Sequence, residues 1–195
     1  MLVLAKENQS IIVMHIDPDW RVLTVGDGDL SFSLALLQNL RPRHLVASVL
    51  DSEQTLDAKY DSHQLRQLQG LGVSVLTEFD VTKPNTWRSM PHQAFDLVIF
   101  QFPLIPAVGS AEAFTQGPSI NTRNRALLRD FLRHSFEHFL DPTGAGFAYI
   151  SSKEVKPYIE WDMERALNMA LPIQYQGKHV FDFEGFPGYR IRNVD

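Results

Sequence analysis

Residues 21–40 read RVLTVGDGDLSFSLALLQNL, and the fold is decided there. RVLTVG over 21–26 is a short apolar run with β-branched residues, the pattern of a buried strand. SFSLALLQNL over 31–40 sets Phe32, Leu34, Leu36, Leu37 and Leu40 where they form the apolar face of a helix. A glycine-bearing turn joins the two, so the unit is strand, tight turn, helix. The alternation then repeats outward. LVASVL (45–50) reads as a second strand stopping at Asp51, and 52–69 as a polar, Gln-rich helix closed by Gly70 and Gly72. VSVLTEF (73–79) is a third strand ending at Asp80, and FDLVIFQF (95–102) a fourth ending at Pro103. Strands that alternate with helices predict an α/β fold with a mostly parallel central sheet and helices on both faces. In such a sheet the strand carboxyl ends form the ligand crevice, so Gly26, Asp51, Asp80 and Gln101 are expected along one rim.

The remainder fits around this frame. Residues 103–119 (PLIPAVGSAEAFTQGPS) are rich in Pro, Gly and small residues and read as a mobile loop over the crevice. A long helix is expected over 120–140, a turn at DPTGAG, a fifth strand at 146–151, a helix near 157–170, and closing strands at 173–183 and 188–193, one of them antiparallel. The first 19 residues read as an extension with an edge strand at 10–16. With 195 residues, the whole chain is expected to be one domain. A hydrophobic fraction of 44% supplies a core and excludes global disorder. Zero cysteines exclude disulfides, thiol nucleophiles and Cys-ligated zinc, and suit a reducing compartment; with no signal peptide or 18-residue apolar run visible, a cytoplasmic, non-membrane protein is expected. A net charge of −5 leaves any nucleic-acid contact to a local patch.

The turn Gly26-Asp27-Gly28-Asp29-Leu30-Ser31 has Ser31 where a dinucleotide fingerprint has its third glycine. Its two aspartates oppose a pyrophosphate and suit a cationic or hydroxyl-bearing ligand, such as the amino group and sulfonium of S-adenosylmethionine (SAM). Asp51 follows Gly28 by 23 residues, near the spacing at which a second-strand carboxylate accepts ribose hydroxyls, and Asp80 is placed to accept from an adenine amine. Gln101-Phe102-Pro103 either clamps a planar ring, amide to its edge and Phe102 to its face, or merely ends a buried strand. Two other patterns read as ordinary surface and core. His134-Ser135-Phe136-Glu137-His138 matches the H-x-x-E-H string of some zinc peptidases, but flanks an apolar face beside Leu127 and Phe131, so core-edge histidines and no metal are expected. Arg125, Arg129 and Arg133 fall one turn apart and make a basic stripe that could face phosphates, though such a stripe is usually a solvated face, here paired with Asp130 and Glu137.

GDGDLSFSLAL (26–36), LDSEQTLDAKY (50–60), FDVT (79–82), FDLVIFQFP (95–103), NRALLRDFL (124–132), KPYIEW (156–161) and FPGY (186–189) together resemble the Rossmann-like methyltransferase family that contains the 25S ribosomal RNA uridine-N3 methyltransferase. Ferredoxin-fold anticodon-binding domain-containing proteins carry the same module. The resemblance implies a class I SAM-dependent methyltransferase fold. It assigns Gly26, Asp27, Gly28, Asp29, Ser31, Phe32 and Ser33 to the methionine part of SAM, Asp51 with Ser52 to the ribose, and Asp80 with Val81 to the adenine. It turns Gln101, Phe102 and Pro103 toward the methyl acceptor as catalytic residues and adds Asn124, Arg125, Lys156 and Tyr158 as substrate contacts. The implied acceptor is a ring nitrogen, uridine N3 of structured RNA; a small-molecule acceptor, or a silent SAM- or nucleotide-binding module, are the alternatives. The family commonly reads Asn-Phe-Pro-His where this chain has Gln101-Phe102-Pro103-Leu104.

Overall fold

The computed structural model describes residues 2–6, 16–105, 118–167 and 171–192. A first strand, β1 (Leu2–Lys6), is followed by β2 (Arg21–Val25), α1 (Ser31–Leu40), β3 (His44–Ser48), α2 (Glu53–Lys59), α3 (Leu65–Gly70) and β4 (Ser74–Leu76). The chain continues through β5 (Leu97–Phe100), α4 (Ile120–His134), β6 (Phe147–Ile150), α5 (Met163–Ala166) and β7 (Ile173–Lys178). The strands make one sheet in the order β4-β3-β2-β5-β6-β1-β7. The first five in that order are mutually parallel. β1 runs antiparallel to both β6 and β7. The strand that runs against the other six is therefore not one near the C-terminus, since β7 has the direction of β6, but the N-terminal β1, inserted between β6 and β7 rather than laid on an edge. Of the segment expected to be that strand, 10–15 lie outside the described residues and Ile16 is irregular.

Every residue of β5 and β6 is buried, as are the last four of β2. Strands covered on both faces carry continuous apolar runs, and the alternation of side chains splits those runs between two cores. Val22, Leu97, Ile99 and Tyr149 face a core shared with Leu36 of α1, Leu56 of α2 and Leu68 of α3. Leu23, Val98, Phe100 and Ala148 face the other, shared with Phe131 and Leu132 of α4 and with Phe79, Phe139 and Trp161. The chain winds outward from β2 through β3 to β4, then returns to pair β5 with β2. The order of the sheet reverses between β2 and β5, and a crevice is expected at their carboxyl ends.

Several elements differ from their sequence expectation. The 52–69 helix is two, α2 and α3, because Tyr60 is extended at the end of α2 and the chain turns through Asp61 to His63, whose ring bonds Asp57 at 2.8 Å. The long helix leaves the α ladder after His134, and Leu140 N–H donates to Ser135 O at 2.8 Å across a π turn (Ser135–Phe139). The helix near 157–170 is a 3₁₀ turn (Tyr158–Trp161) plus the four-residue α5, broken at Asp162 with φ 47°. No strand forms over 188–192; residues 179–192 pack irregularly, with Phe181, Phe186 and Tyr189 ringing Phe32 of α1. Of the loop over 103–119, residues 106–117 lie outside the described residues. Among the described residues no helix is long and apolar enough to cross a membrane.

Candidate functional site

The ends of β2, β3, β4 and β5 open onto one cleft of about 690 Å³, and Gly26, Asp51, Asp80 and Gln101 all line it. At its floor, Gly26 has φ 64°, and a Cβ there would fall 2.7 Å from Phe100 Cε2, so this position requires glycine. Leu30, fully buried, also takes a left-handed conformation (φ 65°) to start α1. Phe102, which like Gly26 lines the cleft, is also left-handed, with φ 46°. Non-glycine residues held in that region cluster where function constrains the chain.

The acidic residues of the turn do different work. The Asp27 carboxylate points inward and accepts from Ser33 N–H (2.6 Å), Ser33 Oγ–H (2.5 Å) and Phe32 N–H (3.3 Å), which satisfies the free donors of α1. Burial pushes its pKa up to about 7 against those hydrogen bonds. Asp29 Oδ1 accepts from Ser31 N–H at 3.1 Å and its Oδ2 from Arg192 Nε at 2.6 Å. Ser31 Oγ accepts from Arg190 N–H at 3.0 Å, Ser33 Oγ bonds Thr24 Oγ1 at 2.7 Å, and Phe32 is core. Of the assigned turn residues, then, Gly26, Asp27, Gly28 and Asp29 border the cleft, while Ser31, Phe32 and Ser33 hold α1 and the C-terminal segment beneath it.

Asp51 projects from the end of β3 with Lys59 Nζ 3.6 Å away, leaving acceptor capacity toward the cleft. Its neighbour Ser52 turns aside to cap α2, accepting from Thr55 N–H at 3.2 Å. Asp80 accepts from Thr82 N–H (3.0 Å), Thr82 Oγ–H (2.7 Å) and Lys83 Nζ (2.9 Å). Burial alone would raise its pKa, but the bonds from Thr82 and Lys83 outweigh it and keep the carboxyl below the usual range. Val81 lies beside it on the wall. Across the cleft, Gln101 is 6% exposed, and neither its Oε1 nor its Nε2 has a hydrogen-bond partner. A buried amide left without partners costs about 1–3 kcal/mol, so its place at the end of β5 calls for a physical reason. Phe102 and Pro103 line the cleft next to it, with the Phe102 ring stacked on Phe183 (centroids 6.3 Å, 14°).

The sequence reading missed one wall. Tyr60, Tyr189, Arg190 and Arg192 also line the cleft, and the Arg192 guanidinium lies 5.4 Å over the Tyr60 ring. Tyr60 and Tyr189 end two of the quoted blocks, which was the available signal; the arginines had none, since only the fold brings residue 192 to residue 29.

Asn124, Arg125, Lys156 and Tyr158 do not line the cleft. Asn124 is buried, accepting from Ile105 N–H (3.0 Å) and donating to Ile120 O (2.8 Å). Arg125 donates to the carbonyls of Trp161 (3.1 Å) and Glu160. Lys156 pairs with Glu160 at 3.4 Å, and Tyr158 packs on Trp161. Arg125 thus fastens α4 to the 3₁₀ turn, Asn124 ties α4 to the loop after β5 at Ile105, and Lys156 and Tyr158 make their contacts within residues 156–161. The arginine stripe divides accordingly: Arg125 is spent on these carbonyls, and Arg133 pairs with Asp130 at 2.7 Å.

The family model described as BMT5-like, rRNA (uridine-N3-)-methyltransferase BTM5-like, matches residues 23–193. The chain is 27% identical over 191 residues to heavy metal-associated isoprenylated plant protein 41 of Arabidopsis thaliana, covering 96% of this chain and 36% of that protein. It is 26% identical over 184 residues to an uncharacterized protein of the same plant, covering 91% and 83%. The chain thus spans about a third of the first relative and most of the second. Among solved structures, an S-adenosylmethionine dependent methyltransferase from Mesorhizobium loti aligns over 68% of this chain and 46% of its own, with 17% identity and a TM-score of 0.36.

Proposed function

The chain belongs to the BMT5-like rRNA (uridine-N3-)-methyltransferase family, and from that premise we propose that its cleft binds SAM and transfers the methyl group to N3 of a uridine in ribosomal RNA. When bound, SAM supplies an electrophilic sulfonium methyl. The residues present fit it. The glycine turn at Gly26 and Gly28 gives room for close backbone approach, Asp51 offers an acceptor for ribose hydroxyls, and Val81 beside Asp80 offers an apolar and a polar edge for a purine.

The observation that carries the reading is Gln101. Its buried, unpartnered amide stands where β5 ends, beside the switch point at which β2 and β5 meet. In that reaction the uracil imide would give its N3 proton to water, the nitrogen would take the methyl while the sulfur keeps the bonding pair and leaves as a neutral thioether, and negative charge would spread to the carbonyl oxygens. Gln101 Nε2–H would donate to one of those oxygens and orient the ring edge. Preorganised donors of this kind are worth about 10²–10³ in rate. Phe102 and Pro103 bound the same space and exclude water. A net charge of −5 confines RNA contact to local cations such as Arg123 and Arg190 at the rim. We take the described residues as one Rossmann-like domain working in the cytoplasm, where a cysteine-free chain is indifferent to reducing conditions.

The test is to incubate the full chain with ribosomal RNA and SAM carrying a deuterated methyl, then to analyse the nucleosides by mass spectrometry. Labelled 3-methyluridine is expected, and Gln101→Ala should cut the rate about 10²-fold while SAM affinity is unchanged. SAM binding with no label on uridine would contradict the acceptor assignment.

A further inference from the structure

The histidine string of α4 does more in space than its sequence reading suggests. One ligand atom from each of His134, Glu137 and His138 can be chosen such that all three lie within 4.8 Å of one another. Glu137 Oε2 and His138 Nε2 are 3.8 Å apart, and the two imidazole rings stand 5.6 Å apart, centroid to centroid, tilted by 31°. The π turn over Ser135–Phe139 changes the spacing of side chains along the helix where these ligands sit, and such single-turn bulges recur at functional sites.

A second observation is independent of the clustering. His134 is 6% exposed, and neither ring nitrogen has a hydrogen-bond partner. A core-edge histidine ordinarily anchors one nitrogen on a carbonyl or carboxylate; this one has both buried and idle, and an ion would occupy one of them. The surroundings hold the rings in place. The Trp87 indole lies 5.3 Å from each imidazole, and Gln93 N–H donates to His138 O at 2.7 Å. His92, on the loop so attached, brings a further imidazole to 5.7 Å from His138.

We propose that His134, Glu137 and His138 form a binding site for a zinc-class divalent cation. Two imidazoles and a carboxylate are a donor set that suits Zn²⁺, which takes three protein ligands and leaves a fourth position for water or for His92. The ion would tie the end of α4 to the 84–93 segment, whose preceding residues Asp80 to Lys83 wall the cleft. Its role is structural support of that wall, separate from methyl transfer.

The test is equilibrium dialysis of the chelator-treated full chain against Zn²⁺, with Co²⁺ absorption as a reporter of coordination. About one ion per chain is expected at micromolar free metal, with visible Co²⁺ bands of a four- or five-coordinate site. His138→Ala and Glu137→Gln, both on solvated side chains, should each weaken binding by at least about tenfold and leave the metal-free circular dichroism unchanged. No retention by the unaltered chain, or retention equal in both variants, would overturn the proposal, the second result because the ion would then sit on other histidines.

Discussion

Three aspartates with similar positions in the sequence pattern have three different physical roles. Asp27 is a buried helix anchor, Asp29 is held by Arg192, and Asp51 borders the cleft with its acceptors toward it. Asp27 and Asp29 are both buried, at 4% and 2% exposed, so what separates them is their hydrogen-bond partners, which no sequence pattern reports. The pKa of Asp27, raised to about 7, has a consequence for stability. The folded state keeps a proton that the unfolded chain releases near pH 4, so the Asp27 contribution is fully present below that value and declines as pH rises through 7. Between pH 5.5 and 8 the decline amounts to about 2 kcal/mol. Denaturant unfolding at the two pH values should therefore show a difference that Asp27→Asn removes; an identical pH dependence in both proteins would contradict the buried-acid assignment. The lowered carboxylates Asp80, Asp96 and Asp141 titrate below this window and do not obscure it. At Gly26, alanine meets both an unfavourable φ and the Phe100 ring, so Gly26→Ala should lower Tm and cost about 1–3 kcal/mol, a loss measurable by thermal melting.

At the scale of elements, the parallel strands and α1 were legible because their apolar runs are long and bounded by turn residues. The last third was not. The 157–170 segment has the apolar content of a helix, but its order depends on distant partners: Arg125 reaches the carbonyls of Glu160 and Trp161, and Asn121 bonds both the Trp161 indole N–H (3.2 Å) and Glu160 (2.7 Å). Residues 188–192 look like a strand by pattern, yet the Arg190 N–H goes to Ser31 of α1 and the Arg192 side chain to Asp29 of the turn before it, rather than to the sheet. Of the residues that matching blocks suggested for substrate, Arg125 makes these fastenings and Asn124 holds Ile105 and Ile120 instead. Arg125→Ala should consequently destabilise the protein by about 1–2 kcal/mol while the KM for the RNA acceptor stays unchanged. Paired chemical denaturation and methyl-transfer kinetics measure both quantities, and a raised KM without a loss of stability would return Arg125 to the substrate site.

Over the whole molecule, stability and chemistry occupy opposite ends of the sheet. At the amino ends of β2 and β5, Arg21 forms a fork with Asp96 (2.8 and 2.9 Å) and reaches Asp141 at 2.9 Å, joining β2, β5 and the turn before β6. The arginine is one third exposed, so Arg21→Ala should cost only about 1–2 kcal/mol, and without effect on the cleft. At the carboxyl ends, residues 26, 51, 80 and 101 meet although 75 positions separate the first from the last. Their convergence was readable because parallel winding alone dictates it. The C-terminal wall with Arg190 and Arg192 was not readable, because no periodicity reports where an irregular segment folds back. The claim on which the reading rests is that this rim is an adenosyl site, and titration calorimetry with SAM on the full chain and on Asp51→Ala tests it most directly. The unaltered protein should bind SAM in preference to NAD, and Asp51→Ala should bind it about 10- to 100-fold more weakly with Tm unchanged. Equal affinity of the two proteins for SAM would contradict it.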